Sequence, residues 1–131
     1  MSKLIILCGL IGAGKTTYAR SNYKWVSDLD YMPPFSRKQD QIRFTFWLLK
    51  TKGEACHITC FPTNEELVAF RKENKEFVLI NTGLRQCEAN ILKRRRKRDF
   101  LDLSQIFLAN RELIRRIKQA QIPWKVVNIF E

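Results

Sequence analysis

The sequence predicts an α/β fold, a parallel sheet covered by helices on both faces. Three observations lead there. Short apolar runs alternate along the chain with longer stretches of helical spacing. The apolar runs lack the in-out alternation of a half-solvated sheet, as expected of strands buried on both faces. A glycine-rich segment at 9–14 joins the first apolar run to the first helical stretch, which reads as a strand–turn–helix junction. With 131 residues, 45% of them apolar, the chain fits one compact domain spanning 1–131 and is too apolar to be disordered.

Taken in order, the strands fall at 4–8, 25–27, 56–60, 77–81 and 124–130. A first helix follows the glycines at 15–21. Ser36 with Gln39 reads as a capping box, each side chain satisfying an orphan backbone donor near the other. It opens a helix whose inner face holds Ile42, Phe46, Leu49 and Trp47. Thr63 with Glu66 forms a second box, with Leu67 and Phe70 inward. A helix over 84–97 comes next. Asp102 with Gln105 opens the last, whose apolar face is Leu103, Ile106, Phe107, Leu113, Ile114 and Ile117, and Pro123 stops it. Trp25, Trp47 and Trp124 read as packing residues.

Composition excludes several classes. The apolar run at 4–7 is far short of the ~20 residues of a membrane span, and it leads into Gly9 and Gly12 rather than a signal cleavage site. A cytoplasmic protein without membrane contact is expected. Of the four cysteines, Cys56 and Cys60 flank the single histidine, His57, too few ligands for a zinc site. Cys8, Cys56, Cys60 and Cys87 therefore read as small core residues in a reducing compartment, and His57 as a satisfied histidine near the core rather than a general base. The net charge of +11, from 24 basic against 13 acidic residues, favours polyanionic partners: nucleotides, nucleic acid or both.

The chemistry is carried by Gly9-Leu10-Ile11-Gly12-Ala13-Gly14-Lys15-Thr16, a complete Walker A pattern. Its glycines let backbone N–H groups approach phosphates, and the following helix adds its positive N-terminus. Gly9, Gly12, Ala13, Gly14, Lys15, Thr16 and Thr17 are the expected triphosphate-binding set. ATP with magnesium is the expected ligand, Lys15 reaching the β- and γ-phosphates and Thr16 ligating the metal.

The form Gly-x-x-Gly-x-Gly-Lys-Thr-Thr resembles the nucleoside and nucleotide kinase group of P-loop proteins. That resemblance implies a three-layer α/β/α domain with a five-stranded parallel sheet in the order 2-3-1-4-5. It also implies an aspartate after the second strand, serving the acceptor hydroxyl. Here Val26-Ser27-Asp28-Leu29-Asp30-Tyr31 offers two, Asp28 and Asp30, and a carboxylate there can accept a hydroxyl proton. Arginines of a lid over the donor phosphates are implied too, and the basic run at 93–98 supplies Arg94 and Arg98. Asp28-Leu29-Asp30-Tyr31, Phe61-Pro62-Thr63-Asn64-Glu65-Glu66 and Trp124-Lys125-Val126-Val127-Asn128-Ile129-Phe130 are similar to segments of polynucleotide 5′-kinases. The glycine loop and the arginine run followed by a long helix are similar to deoxynucleoside kinases.

The chain departs from the pattern at the third strand. Ile58-Thr59-Cys60-Phe61 stands where a Walker B carboxylate is expected. Its short length leaves little room for insertions around an acceptor, so an open acceptor site is expected. The resulting expectation is a kinase moving the γ-phosphate of ATP to a nucleotide-type acceptor, a nucleic-acid 5′-hydroxyl first, a deoxynucleoside or nucleoside monophosphate second. Its rival from another class is an ATP-binding module acting through a nucleic-acid or protein partner. Tyr31 and Phe35 either stack on an acceptor base or line the core.

Overall fold

The computed structural model describes residues 2–94 and 103–130, and at Arg94 the backbone alone. In chain order the elements are β1 (Lys3–Gly9), α1 (Lys15–Asn22), β2 (Val26–Ser27), a 3-10 turn (Leu29–Tyr31), α2 (Lys38–Lys52), β3 (Glu54–Ile58), α3 (Asn64–Ala69), β4 (Lys75–Ile80), α4 (Leu84–Arg94), α5 (Leu103–Gln119) and β5 (Lys125–Val127). The sheet runs β2-β3-β1-β4-β5 with every neighbouring pair parallel, the order expected.

Strand β1 is central because both its faces are apolar. Leu4 through Cys8 are all buried. Successive side chains point to opposite faces, and each set founds a separate core. Ile5 and Leu7 pack with Cys56, Ile58, Val78 and Ile80 beneath Ala19 of α1, Cys87 of α4 and Leu113, Ile114 and Ile117 of α5. Leu4, Ile6 and Cys8 pack with Ala55, Leu79 and Phe70 against Ile42, Leu48 and Leu49 of α2. Cys8, Cys56 and Cys87 are buried, and burial pushes the thiols of Cys8 and Cys56 up, Cys56 to about 12. Cys8 and Cys56 remain neutral packing groups, whereas Cys60 is partly exposed at the edge of the cleft.

Several boundaries differ from expectation. Strand β3 starts at Glu54 and ends at Ile58. Strand β5 is confined to Lys125–Val127, so residues 128–130 leave the sheet. The Ser36–Gln39 box is not formed. After two prolines the Ser36 hydroxyl serves its own turn, donating to the Pro33 carbonyl at 2.6 Å, and Asp40 instead accepts from the Arg37 N–H at 2.8 Å. On α2 the buried face is Gln41, Ile42, Thr45, Leu48 and Leu49. Trp47 lies outside it at 53% exposure, and Phe46 lies at its margin, its ring 5.2 Å from that of Phe70. The Thr63–Glu66 box is realised in both directions. The Asp102 box and the helix beyond residue 94 lie outside the described residues.

Candidate functional site

The chain reverses its winding at β1: it moves to β2 and β3 on one side and to β4 and β5 on the other. In open parallel sheets, ligand clefts form at the carboxyl ends of the strands at such a point. The glycine loop lies there, between the end of β1 at Gly9 and the start of α1 at Lys15. Gly12 and Gly14 adopt φ of 86° and 94°, the left-handed region that other residues avoid. At Gly12 a Cβ would also stand 2.6 Å from the Cys87 carbonyl oxygen, so α4 closes on the loop at that point.

Three side chains from distant elements clamp the loop. Asn110 of α5 accepts from the Ile11 N–H at 2.7 Å and donates to the Ile11 carbonyl at 2.9 Å. Asn90 of α4 donates to the Gly12 carbonyl at 2.8 Å. Thr82, just after β4, donates to the Ala13 carbonyl at 2.8 Å. The loop is held in shape before any ligand arrives. The leading backbone N–H groups of α1, without intrahelical acceptors as at any helix start, belong to a cleft of about 600 Å³ lined by Gly12 through Thr17.

Within that cleft Lys15 Nζ donates to the carbonyls of Gly9 at 2.8 Å and Leu10 at 2.7 Å. This places an ammonium at the mouth of the loop. The Thr16 hydroxyl donates to Asp28 Oδ2 at 2.7 Å. A hydroxyl that gives its proton to a carboxylate keeps its lone pairs for a cation. Asp28 is buried, and its other oxygen accepts from the Asp30 N–H at 3.1 Å. Asp30 is exposed and lines the same cleft.

Oxygen-seeking magnesium retains most of its waters and takes one or two protein carboxylates besides phosphate. The Thr16–Asp28 pair fits that demand: Thr16 would be a ligand, with the Asp28 carboxylate beside it. A magnesium ion held there with a triphosphate would neutralise charge on the transferred group.

Beside the cleft, Thr59 follows β3 where a carboxylate was expected, but Glu66 of α3 reaches the gap. It accepts from the Thr59 hydroxyl at 3.1 Å and pairs with Lys38 Nζ at 3.2 Å. It also accepts from His57, whose Nδ1 lies 2.7 Å from the Thr45 hydroxyl. Both ring nitrogens of the fully buried His57 are engaged, as expected of a satisfied core histidine. Burial lowers the His57 pKa against the upward pull of Glu66. Burial alone raises the Glu66 carboxyl, but the hydrogen bond and the charge of His57, the bond from the Thr63 N–H and the charge of Lys38 outweigh it and bring it to about 2. Burial favours the neutral imidazole, which donates to a carboxylate whose counter-ion is Lys38. Lys38 itself also lines the cleft.

Of the expected residues, Gly12, Ala13, Gly14, Lys15, Thr16, Thr17, Asp28 and Asp30 line this cleft together. Gly9 lies beneath it, its carbonyl receiving Lys15. The Arg94 side chain and Arg98 lie outside the described residues. Tyr31 and Phe35 do not line the core: Tyr31 is 56% exposed with the Arg20 guanidinium 4.3 Å over its ring, and Phe35 is wholly exposed.

Sequence reasoning missed the clamp and the apolar end of the cleft. Asn110 left a trace, a polar residue inside the apolar stripe of Phe107, Leu113, Ile114 and Ile117. Thr82 and Asn90 left none. Ile129 and Phe130, expected in a strand, lie against the loop instead. A Cβ on Gly14 would meet Ile129 Cδ1 at 2.8 Å, and Phe130 lines the cleft with Ile106.

No protein-family model and no curated protein matches the chain. Solved structures do. A deoxyadenosine kinase from M. mycoides with bound dATP matches at a TM-score of 0.59 and 14% identity, over 95% of this chain and 90% of that one. The same kinase with the products dCMP and a flexible dCDP matches at 0.56 and 14%, over 95% and 88%. Shikimate kinase from Acinetobacter baumannii, in complex with shikimate, matches at 0.58 and 15%, over 100% and 86%. At such identities the likeness is one of architecture: the chain has the P-loop kinase fold, with its five parallel strands in the order 2-3-1-4-5.

Proposed function

We propose that the protein is an ATP-dependent phosphotransferase that moves the γ-phosphate to a hydroxyl of a nucleotide-type acceptor, first of all a nucleic-acid 5′-hydroxyl. The observation that carries the reading is the 2.7 Å bond from Thr16 to Asp28, in the cleft that Lys15 and Asp30 share. It supplies the metal-side carboxylate that the third strand lacks. The fold it shares with kinases of deoxyadenosine and shikimate supports the reaction class. The net charge of +11 supports an anionic acceptor.

Two carboxylates at different depths have separable tasks. Asp28, bonded to Thr16, would help Thr16 hold magnesium. Asp30, exposed two residues on, accepts the proton of the acceptor hydroxyl. The hydroxyl oxygen then bonds to the γ-phosphorus as the bond from that phosphorus to the β-γ bridging oxygen breaks, and ADP leaves. Lys15 stabilises the β- and γ-oxygens, and the loop amides hold the phosphates in line, so the protein supplies positioning and charge. Ile106 and Phe130 offer apolar surface to the adenine. Arg94 and Arg98 remain the proposed lid arginines, at least one of them closing on the donor.

The test is transfer from γ-labelled ATP to oligonucleotides with free 5′-hydroxyls, to nucleosides and to nucleoside monophosphates. Label is expected on the oligonucleotide 5′ end. Label on a nucleoside or monophosphate alone would retain the kinase and replace the acceptor. Tight ATP binding with no acceptor labelled under any condition would leave a nucleotide-binding module.

A further inference from the structure

A second depression, of about 470 Å³, lies along the β2 side of the sheet between α1 and α2. The strand–helix pattern gives no reason to expect it. Its walls are Arg20, Tyr23, Lys24, Trp25, Phe44, Trp47 and Lys52 with Val26 and Leu48, and no carboxylate lines it. The cations are interleaved with the rings. Lys52 Nζ lies 4.6 Å and Lys24 Nζ 5.5 Å from the Trp25 ring centroid. Trp47 is half exposed and stacks on Phe44 at 5.9 Å and 14° between planes. An indole stacked on one side and open to solvent is a large apolar surface left uncovered at some cost.

Arg20 joins this groove to the cleft. It lines the groove, and its guanidinium lies over the ring of Tyr31, in the 3-10 turn that begins immediately after Asp28 and contains Asp30. Cations and aromatics therefore continue from the carboxylates of the cleft, through Tyr31 and Arg20, to Trp25, Lys24, Lys52 and Trp47.

We infer that this groove binds a single-stranded nucleic-acid segment, the continuation of an acceptor whose 5′ end enters the cleft; the direction of the strand rests on the phosphotransferase reading above. The chemistry selects that occupant. Lysine and arginine without compensating carboxylates match a chain of phosphates. The exposed face of Trp47 matches a base, since bases stack on aromatics with little regard to sequence. The three cations argue against an apolar protein helix, and a lone nucleoside in the cleft would not extend to them.

The test uses a fluorescently labelled single-stranded oligonucleotide with a free 5′-hydroxyl, followed by anisotropy, with magnesium–ATP affinity measured on the same proteins. The variants are Trp47→Ala and the double change Lys24→Gln with Lys52→Gln, all at exposed positions outside the cleft. Trp47→Ala is expected to weaken oligonucleotide binding roughly five- to a hundredfold, the loss of one stacked base. The lysine pair is expected to flatten the salt dependence by about 0.7 in log–log slope for each phosphate no longer neutralised. ATP affinity should not move. If oligonucleotides are phosphorylated, both changes should raise their KM and leave that of a nucleoside unaltered. Oligonucleotide affinity unchanged in both variants overturns the inference, as does an absence of oligonucleotide binding by the native protein. So does sedimentation showing a dimer that the same changes dissociate. Loss of oligonucleotide binding in the variants, with no acceptor ever phosphorylated, would remove the kinase reading and keep the groove.

Discussion

Asp28 and Asp30 stand two residues apart and meet different surroundings. The first ends an extended segment and turns inward to Thr16; the second sits in a 3-10 turn at the solvent face of the cleft. Their substitutions should therefore fail differently. Asp28→Asn removes the carboxylate that receives the Thr16 proton, so transfer should fall at least about a hundredfold and require more magnesium. Asp30→Asn should lower kcat by roughly a hundredfold or more while leaving magnesium–ATP affinity unchanged, as for the loss of a base. Steady-state kinetics across a magnesium titration separates the two. A magnesium requirement displaced by Asp30→Asn and not by Asp28→Asn would exchange the roles.

At the scale of elements, the loop is shaped by α4, α5 and the end of β4 as much as by its own glycines. Asn110 is wholly buried and satisfies both backbone groups of Ile11. Asn110→Ala should cost about 1–3 kcal/mol of stability by leaving those groups unpaired, and it should weaken ATP binding by loosening the loop. Chemical denaturation with ATP titration checks both. A stability loss with unaltered ATP affinity would make Asn110 a packing residue only.

The same elements show what a sequence reveals of such a site. The order of strands and helices was legible because β1 is apolar on both faces and its glycine loop has one structural use. The Thr63–Glu66 box was legible because both partners are local. The Ser36–Gln39 box misled because Pro33 and Pro34 place a turn where the spacing suggested a cap, and Ser36 serves that turn. Glu66 reads as a capping residue and is one, yet it also receives His57, Thr59 and Lys38. Those partners are brought together by the stacking of α2 and α3 on one face of the sheet, and no local spacing encodes that. The clamp by Asn110 spans 99 positions and is invisible to any periodicity except as a polar break in an apolar stripe.

For the whole molecule, the buried Glu66–His57 pair, with the partly exposed Lys38 as its counter-ion, ties stability to pH. Glu66 titrates at about 2 in the folded chain against 4.5 in a free side chain, so its contribution is complete above about pH 4.5 and is lost as pH falls toward 2. His57 is lowered from 6.5, so the unfolded chain takes up its proton first, and stability begins to decline below about pH 6.5. Both signs favour the neutral side. Urea midpoints should therefore be flat above pH 7 and fall on acidification in two stages. Glu66→Gln should cost about 2 kcal/mol at pH 7 and flatten the more acidic stage. An unchanged acid profile in that variant would show that the pair does not govern it. No helix among the described residues is long and apolar enough to cross a membrane.

All of this depends on the loop from Gly9 to Thr16 holding a triphosphate. The most direct measurement is calorimetric titration of magnesium–ATP into the native protein and into Lys15→Ala, with thermal unfolding to confirm that both are folded. The expected result is a single site in the native protein and an affinity at least about tenfold lower in Lys15→Ala, about 1.4 kcal/mol, at an unaltered melting temperature. Equal affinities in the two folded proteins would contradict it.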